Sequence, residues 1–211
     1  MNLKVCGMKY IENIKQVAEL KPDYLGFIFY EKSERNFEGI IPEISKHIKK
    51  VGIFVNEYLE IVVSLAQEYQ LSVLQLHGEE SPEYIKELKD HLPKVEIIKV
   101  FSMGDAFDFN ILKLYEGVAN YFLFDTKAKK RGGNGVTFNW KLLKNYNSKL
   151  PYFLSGGIGL DTSDSLKEFF KTSYSKQCIA LDVNSRFETA PGKKSVDKLK
   201  KFTTKFFKTT N

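Results

Sequence analysis

The sequence predicts an α/β chain of the (β/α)8 barrel class. Two observations carry that expectation. Short apolar runs alternate with longer amphipathic ones eight times along 211 residues, and the series closes on a helix. A glycine or polar residue follows most of the apolar runs, which gathers the chemistry-bearing side chains on one edge of the sheet. A doubly wound open sheet is the alternative built from the same alternation.

Taken in order, the apolar runs fall at 3–6, 24–29, 51–55, 72–76, 96–101, 121–124, 152–155 and 178–183. Val, Ile, Phe and Leu fill them without strict alternation, as parallel strands covered on both faces require. Helical patterns lie between and after them, at 11–20, 40–49, 58–69, 82–91, 107–115, 138–146, 162–171 and 195–207. Ser81-Pro82 has the Ncap–N1 form, and Asp161 or Thr162 is placed to cap a later helix. Asp108, Asn110 and Gly117 interrupt the pattern at 107–115.

Composition narrows the class further. With 43% hydrophobic and 27% charged residues and no Pro-, Ser- or Gly-rich linker, residues 1–211 are expected to form a single domain. The first residues lack a charged head followed by an apolar run, and no stretch approaches the roughly 20 apolar residues that span a bilayer. A cytoplasmic address, with no membrane partner, is therefore expected. Cys6 and Cys178 show no CxxC spacing, and His47, His77 and His91 show no metal-ligand spacing, so neither a metal nor a disulfide is expected. Within the net charge of +6, Lys193, Lys194, Lys198, Lys200, Lys201, Lys205 and Lys208 cluster near the C-terminus. They alternate with Val196, Leu199, Phe202 and Phe206 at helical spacing, the pattern of a solvated lysine face rather than a nucleic-acid footprint. The basic balance still favours anionic small substrates. No excess apolar face marks an interface, so a monomer and a homodimer both fit.

Cys6 ends the first strand, where the backbone turns at Gly7. A thiol at that edge can serve as base, nucleophile or packing. A nucleophile would need an oriented histidine, and only His77 is placed near the same edge. The sixth strand ends at Asp125-Thr126, the seventh at Ser155-Gly156-Gly157, and the eighth at Asp182-Val183-Asn184-Ser185-Arg186. Glycines after the seventh strand and a polar turn after the eighth suit a phosphate, held by backbone N–H groups. Glycines that only tighten turns are the alternative.

The ordered motifs carry a family resemblance. They are Lys4-Val5-Cys6-Gly7-Met8, Gly26-Phe27-Ile28-Phe29-Tyr30 with Ser33-Glu34-Arg35, Gly52-Ile53-Phe54-Val55-Asn56, and Leu74-Gln75-Leu76-His77-Gly78. Phe124-Asp125-Thr126 with Gly132-Gly133-Asn134-Gly135, Ser155-Gly156-Gly157-Ile158, and Asp182-Val183-Asn184-Ser185 before Glu188 and Pro191-Gly192 complete the set. From residue 3 to about 194 the chain resembles the phosphoribosylanthranilate isomerases of tryptophan biosynthesis.

That resemblance implies a TIM barrel of the ribulose-phosphate-binding type. It implies an isomerase performing a cofactor-free Amadori rearrangement, in which N-(5-phosphoribosyl)anthranilate becomes 1-(2-carboxyphenylamino)-1-deoxyribulose 5-phosphate. Cys6 takes the family's general base position and Asp125 its general acid position. Arg35 takes the anthranilate carboxylate, and Gly156, Gly157, Asp182, Asn184 and Ser185 surround the phosphate. His77 lines the site or caps the turn after the fourth strand. The loop at 127–135 is a lid or a plain solvated loop. A working base needs a thiolate, so the Cys6 pKa is expected to fall; a working acid needs a proton, so that of Asp125 is expected to rise. The chain departs from the family at Asn134, where threonine is common, and at Arg186-Phe187, where small residues and glycine are common. The related two-aspartate isomerase of histidine biosynthesis fits less well, because Cys6 stands at the base position.

Overall fold

The computed structural model describes residues 1–104, 106–126 and 137–206. Eight parallel strands close into a barrel in chain order, which removes the open-sheet alternative. They are β1 (Asn2–Val5), β2 (Tyr24–Ile28), β3 (Lys49–Phe54), β4 (Val73–Leu76), β5 (Glu96–Met103), β6 (Tyr121–Thr126), β7 (Tyr152–Leu154) and β8 (Cys178–Val183). Closure joins β1 to β8, with Lys4 in register with Asp182 and Val5 with Val183.

Successive strand residues point to opposite faces, and this chain sorts them cleanly. Leu3, Val5, Leu25, Phe27, Phe54 and Leu74 belong to the large core between sheet and helices. Cys6, Val51, Ile53, Ile98, Leu123 and Phe153 belong to a second cluster, which fills the barrel interior. Polar residues on that inner face are therefore exceptions that need partners.

The helices that pack outside are α1 (Ile11–Ala18), α2 (Leu59–Glu68), α3 (Pro82–His91), α4 (Ser163–Phe170) and α5 (Val196–Phe206). α3 opens as the sequence predicts: Ser81 Oγ accepts the Tyr84 N–H at 3.2 Å and Pro82 occupies the first turn. α5 buries Leu199 and Phe202 while Lys198, Lys200, Lys201 and Lys205 stay exposed. Among the described residues no helix is long and apolar enough to cross a membrane. Cys6 and Cys178 are both free thiols.

Several expectations need correction. No helix forms at 40–49; the chain there is irregular until β3 begins. Tyr69, which follows α2, donates its hydroxyl to the Gly39 carbonyl at 3.1 Å and pins the segment, while Ile41 and Ile44 pack on the core without a helical turn. The patterns at 107–115 and 138–146 are 3₁₀ segments, Phe109–Leu114 and Trp140–Asn145. Asp108 and Asn139 cap them, and a period of three puts the buried pairs Phe109/Leu112 and Trp140/Leu143 on one face. Neither Asp161 nor Thr162 caps α4 with its side chain; Thr162 Oγ1 is engaged with the Gly159 N–H and carbonyl instead. Beyond β8 a short ribbon pairs β9 (Glu188–Ala190) with β10 (Lys193–Lys194). Lys194, expected on the solvated lysine face, is buried there. The loop at 127–135, with Asn134, lies outside the described residues.

Candidate active site

The C-terminal ends of the strands bring the chemistry together. Cys6 continues the inner face of β1, two residues beyond Lys4. Asp125 lies on the inner face of β6, two residues beyond Leu123. Around the closed barrel β6 lies three strands from β1, so thiol and carboxyl enter the mouth from opposing sides. Gly26 on β2 makes room for the thiol: a Cβ there would stand 3.1 Å from Cys6 Sγ.

A chain of polar contacts runs between them inside the barrel. Lys4, with no exposed side-chain surface, donates from Nζ to Asp182 Oδ1 at 2.8 Å. Ser155 Oγ donates to the other Asp182 oxygen at 3.1 Å. Asp125 accepts the Thr126 N–H on Oδ1 at 2.8 Å, and its Oδ2 lies 3.7 Å from His77 Nε2. Gly156, at φ +86°, closes over this corner, where any Cβ would collide with Thr126 and with Asp125 Oδ1.

This environment fixes the charges. Burial and the nearby Asp182 carboxylate push the Asp125 pKa up to about 6, against the Thr126 N–H, Lys4 and Ser155. The expected rise is present. The expected fall at Cys6 is not. Burial pushes the Cys6 thiol above its ordinary value, Lys4 and Lys194 pull it down, and Asp182 pushes it up. A thiol only 4% exposed loses so much solvation as an anion that its cationic neighbours offset only part of the cost. Burial pushes Cys178 to about 12 despite the nearby N-terminal ammonium.

Arg35 sits beside the thiol in a second network. Its Nε and Nη2 fork onto Glu188, with the shortest contact 2.7 Å. Lys194 Nζ bridges Glu188 Oε1 and Asn184 Oδ1, both at 2.6 Å, with its side chain wholly buried. The β9–β10 ribbon thus ties Arg35, Asn184 and the rim of β8 into one unit. Gly157 is also left-handed, at φ +62°; Asn184 and the turn Ser185–Phe187 follow β8 on the neighbouring rim. Arg186 pairs with Asp161 outside that turn. Asp182, grouped by the sequence with the phosphate, directs its carboxylate onto Lys4 and Ser155 inside the barrel.

His77 leaves β4 on a turn that is held firmly. Glu80 accepts the N–H groups of Asn56 and Gly78, while Lys99 on β5 donates to Glu80 Oε2 at 2.9 Å and to the Gly78 carbonyl at 2.6 Å. Lys4 and Ser155 are site residues to which the sequence alone assigns no role, and Lys194 is one that it places on a solvated face. The signal for Lys4 is present: a charge inside an apolar strand, two residues from Cys6 and in a strand that closure sets beside Asp182. No group of three or more His, Cys, Asp or Glu suited to a metal ion occurs among the described residues.

Comparison with known proteins identifies relatives of this barrel. The family model described as N-(5'phosphoribosyl)anthranilate (PRA) isomerase matches residues 3–205. The N-(5'-phosphoribosyl)anthranilate isomerase of Parabacteroides distasonis is 40% identical over 208 residues, covering 96% of this chain and 91% of its own. The solved phosphoribosyl anthranilate isomerase of Thermotoga maritima superposes with a TM-score of 0.81 at 30% identity, over 97% of this chain and 98% of its own. A further solved isomerase, 28% identical with a TM-score of 0.77 over 96% of each chain, holds reduced 1-(o-carboxyphenylamino)-1-deoxyribulose 5-phosphate.

Proposed function

The chain belongs to the N-(5'-phosphoribosyl)anthranilate isomerase family, an enzyme of tryptophan biosynthesis, and on that premise we propose that Cys6 is its general base and Asp125 its general acid. The substrate is an aminoaldose and the product the matching aminoketose. Protonated Asp125 delivers its proton to the furanose ring oxygen, the C1–O bond breaks, and the nitrogen lone pair forms a Schiff base. The Cys6 thiolate then removes the C2 proton, and the resulting enaminol tautomerises to the ketone. Two positioned proton carriers are all these steps ask for.

The observation that carries this reading is the placement of a thiol and a carboxyl of raised proton affinity on opposing strands of one mouth, with the Asp125 pKa at about 6. Gly156, Gly157, Asn184 and Ser185 hold the substrate phosphate through backbone N–H groups. The Glu188 fork leaves Arg35 Nη1 for the anthranilate carboxylate, and His77 lines the wall beside Asp125. All these residues come from one chain, so a monomer or a homodimer serves equally. A base that must stay reduced fits the reducing cytoplasm.

The test follows the fluorescence lost as phosphoribosylanthranilate is consumed. Cys6→Ala and Asp125→Ala should each lower kcat by about 10²- to 10⁴-fold. Wild-type rates in both variants would overturn the assignment.

A further inference from the structure

Lys4 and Asp182 form an ion pair sealed inside the barrel, one layer beneath the mouth, on strands that closure sets side by side. The pair needs a reason. Barrel interiors are filled mainly by branched apolar side chains, and replacing a buried ion pair by apolar residues is often neutral or stabilising. Here its two ends differ in what they face. The ammonium end lies on β1 with Cys6, two residues along the same inner face. The carboxylate end lies on β8, with Ser155 bridging it toward the β6–β7 side that holds Asp125.

We propose that the Lys4–Asp182 pair is a positioning dipole for the proton transfers, its positive end favouring the Cys6 thiolate and its negative end favouring protonated Asp125. This inference rests on the acid–base assignment above and adds what polarises it. Desolvation raises both Cys6 and Asp125. Beyond that, Lys4 is the largest influence lowering Cys6, and Asp182 is the largest charge raising Asp125. Lys4 itself remains an ammonium: burial pulls its pKa down, but Asp182 and Cys6 together hold it above the ordinary lysine value. The other charges around the thiol are Lys194, from β10, and Arg35, already forked onto Glu188. Both come from outside the barrel wall and leave the interior polarity to Lys4 and Asp182.

The test titrates Cys6 directly. Protein labelled with ¹³C at cysteine Cβ, with Cys6→Ser to assign the signal, gives the thiol midpoint independently of turnover. Lys4→Met should raise that midpoint by about one unit or more. It should also lower kcat about tenfold at fixed neutral pH, with little change in KM. Because Lys4→Met orphans a buried carboxylate and can fail to fold, Lys4→Met/Asp182→Asn supplies the second measurement. In that double variant the Cys6 midpoint should rise by less than in the single one, and the Asp125 limb of the kcat/KM profile should fall toward an ordinary carboxylate. A Cys6 midpoint unchanged in whichever variant folds would overturn the dipole. A midpoint that shifts while the pH profile of kcat/KM stays fixed would support the dipole and overturn Cys6 as the base.

Discussion

Measuring kcat/KM between about pH 5 and pH 10 probes two groups whose resting protonation is the reverse of what the rearrangement uses. At pH 7 Asp125, with its pKa at about 6, is ionised, and Cys6, pushed above the ordinary thiol, keeps its proton. The productive form has the same number of protons with the two positions exchanged, and it is a minor species. With Asp125 at about 6 and Cys6 raised above an ordinary thiol by burial, its population peaks between the two midpoints.

The expected profile is therefore a bell. Its acid limb falls near pH 6 and its basic limb above the ordinary thiol range, because burial raises Cys6. The limbs belong to the pair and do not by themselves say which group is the acid; the labelled-thiol titration does. Initial rates at substrate concentrations well below KM give kcat/KM, with folding checked at each pH. A flat profile, a single limb, or an acid limb near the ordinary carboxylate value of about 4 would refute the reasoning.

Two further predictions concern close approach and stability. In Gly26→Ala the new methyl would stand 3.1 Å from both Cys6 Sγ and Cys6 Cα and 3.0 Å from Ile53 Cδ1. Shifting the thiol by a few tenths of an ångström should lower kcat about tenfold and cost about 1–3 kcal/mol in urea unfolding; unchanged kcat would show that the thiol position is not critical. Asp125→Asn should abolish turnover yet stabilise the fold at neutral pH, since Asn keeps an acceptor for the Thr126 N–H. A folded-state pKa of about 6 lies above the unfolded value of about 3.9. Wild type is thus at no disadvantage below about pH 4, and loses stability as pH rises from about 4 to about 6. Asn should gain about 1–3 kcal/mol at pH 8 and nothing near pH 4, and an equal difference at both pH values would contradict the assignment.

What the sequence reveals depends on whether a neighbour in the chain or a neighbour in space decides. The strands are legible because each is apolar on both faces, and α3 is legible because Ser81 and Pro82 act locally. The segment at 40–49 has helical spacing, but its conformation follows a tertiary bond from Tyr69 to Gly39, which no local pattern carries. At the site, Cys6 and Asp125 are legible from their places at strand ends. The burial of Lys194 depends on a ribbon folding back onto Arg35 and Asn184. The net rise at Cys6 sums burial, two cations and an anion contributed by three different strands, and a linear sequence does not show which influence is largest.

The two ends of the barrel interior divide the work. Toward the N-terminal end, Phe153 meets Tyr24 and Tyr121 edge to face, with ring centroids 5.2 and 5.5 Å apart, and close apolar packing stabilises the fold. Toward the mouth lie a buried ion pair, a desolvated thiol and a carboxyl held above its ordinary pKa. Each of those departs from what stability alone would select. Their destabilisation is the same free energy that moves the proton affinities of Cys6 and Asp125, because a pKa shift and a stability change are two readings of one interaction. A substitution that relaxes the mouth, such as Asp125→Asn, should therefore gain stability through the very interaction that catalysis requires, whereas truncating Phe153 should lower stability and leave the pH profile where it was.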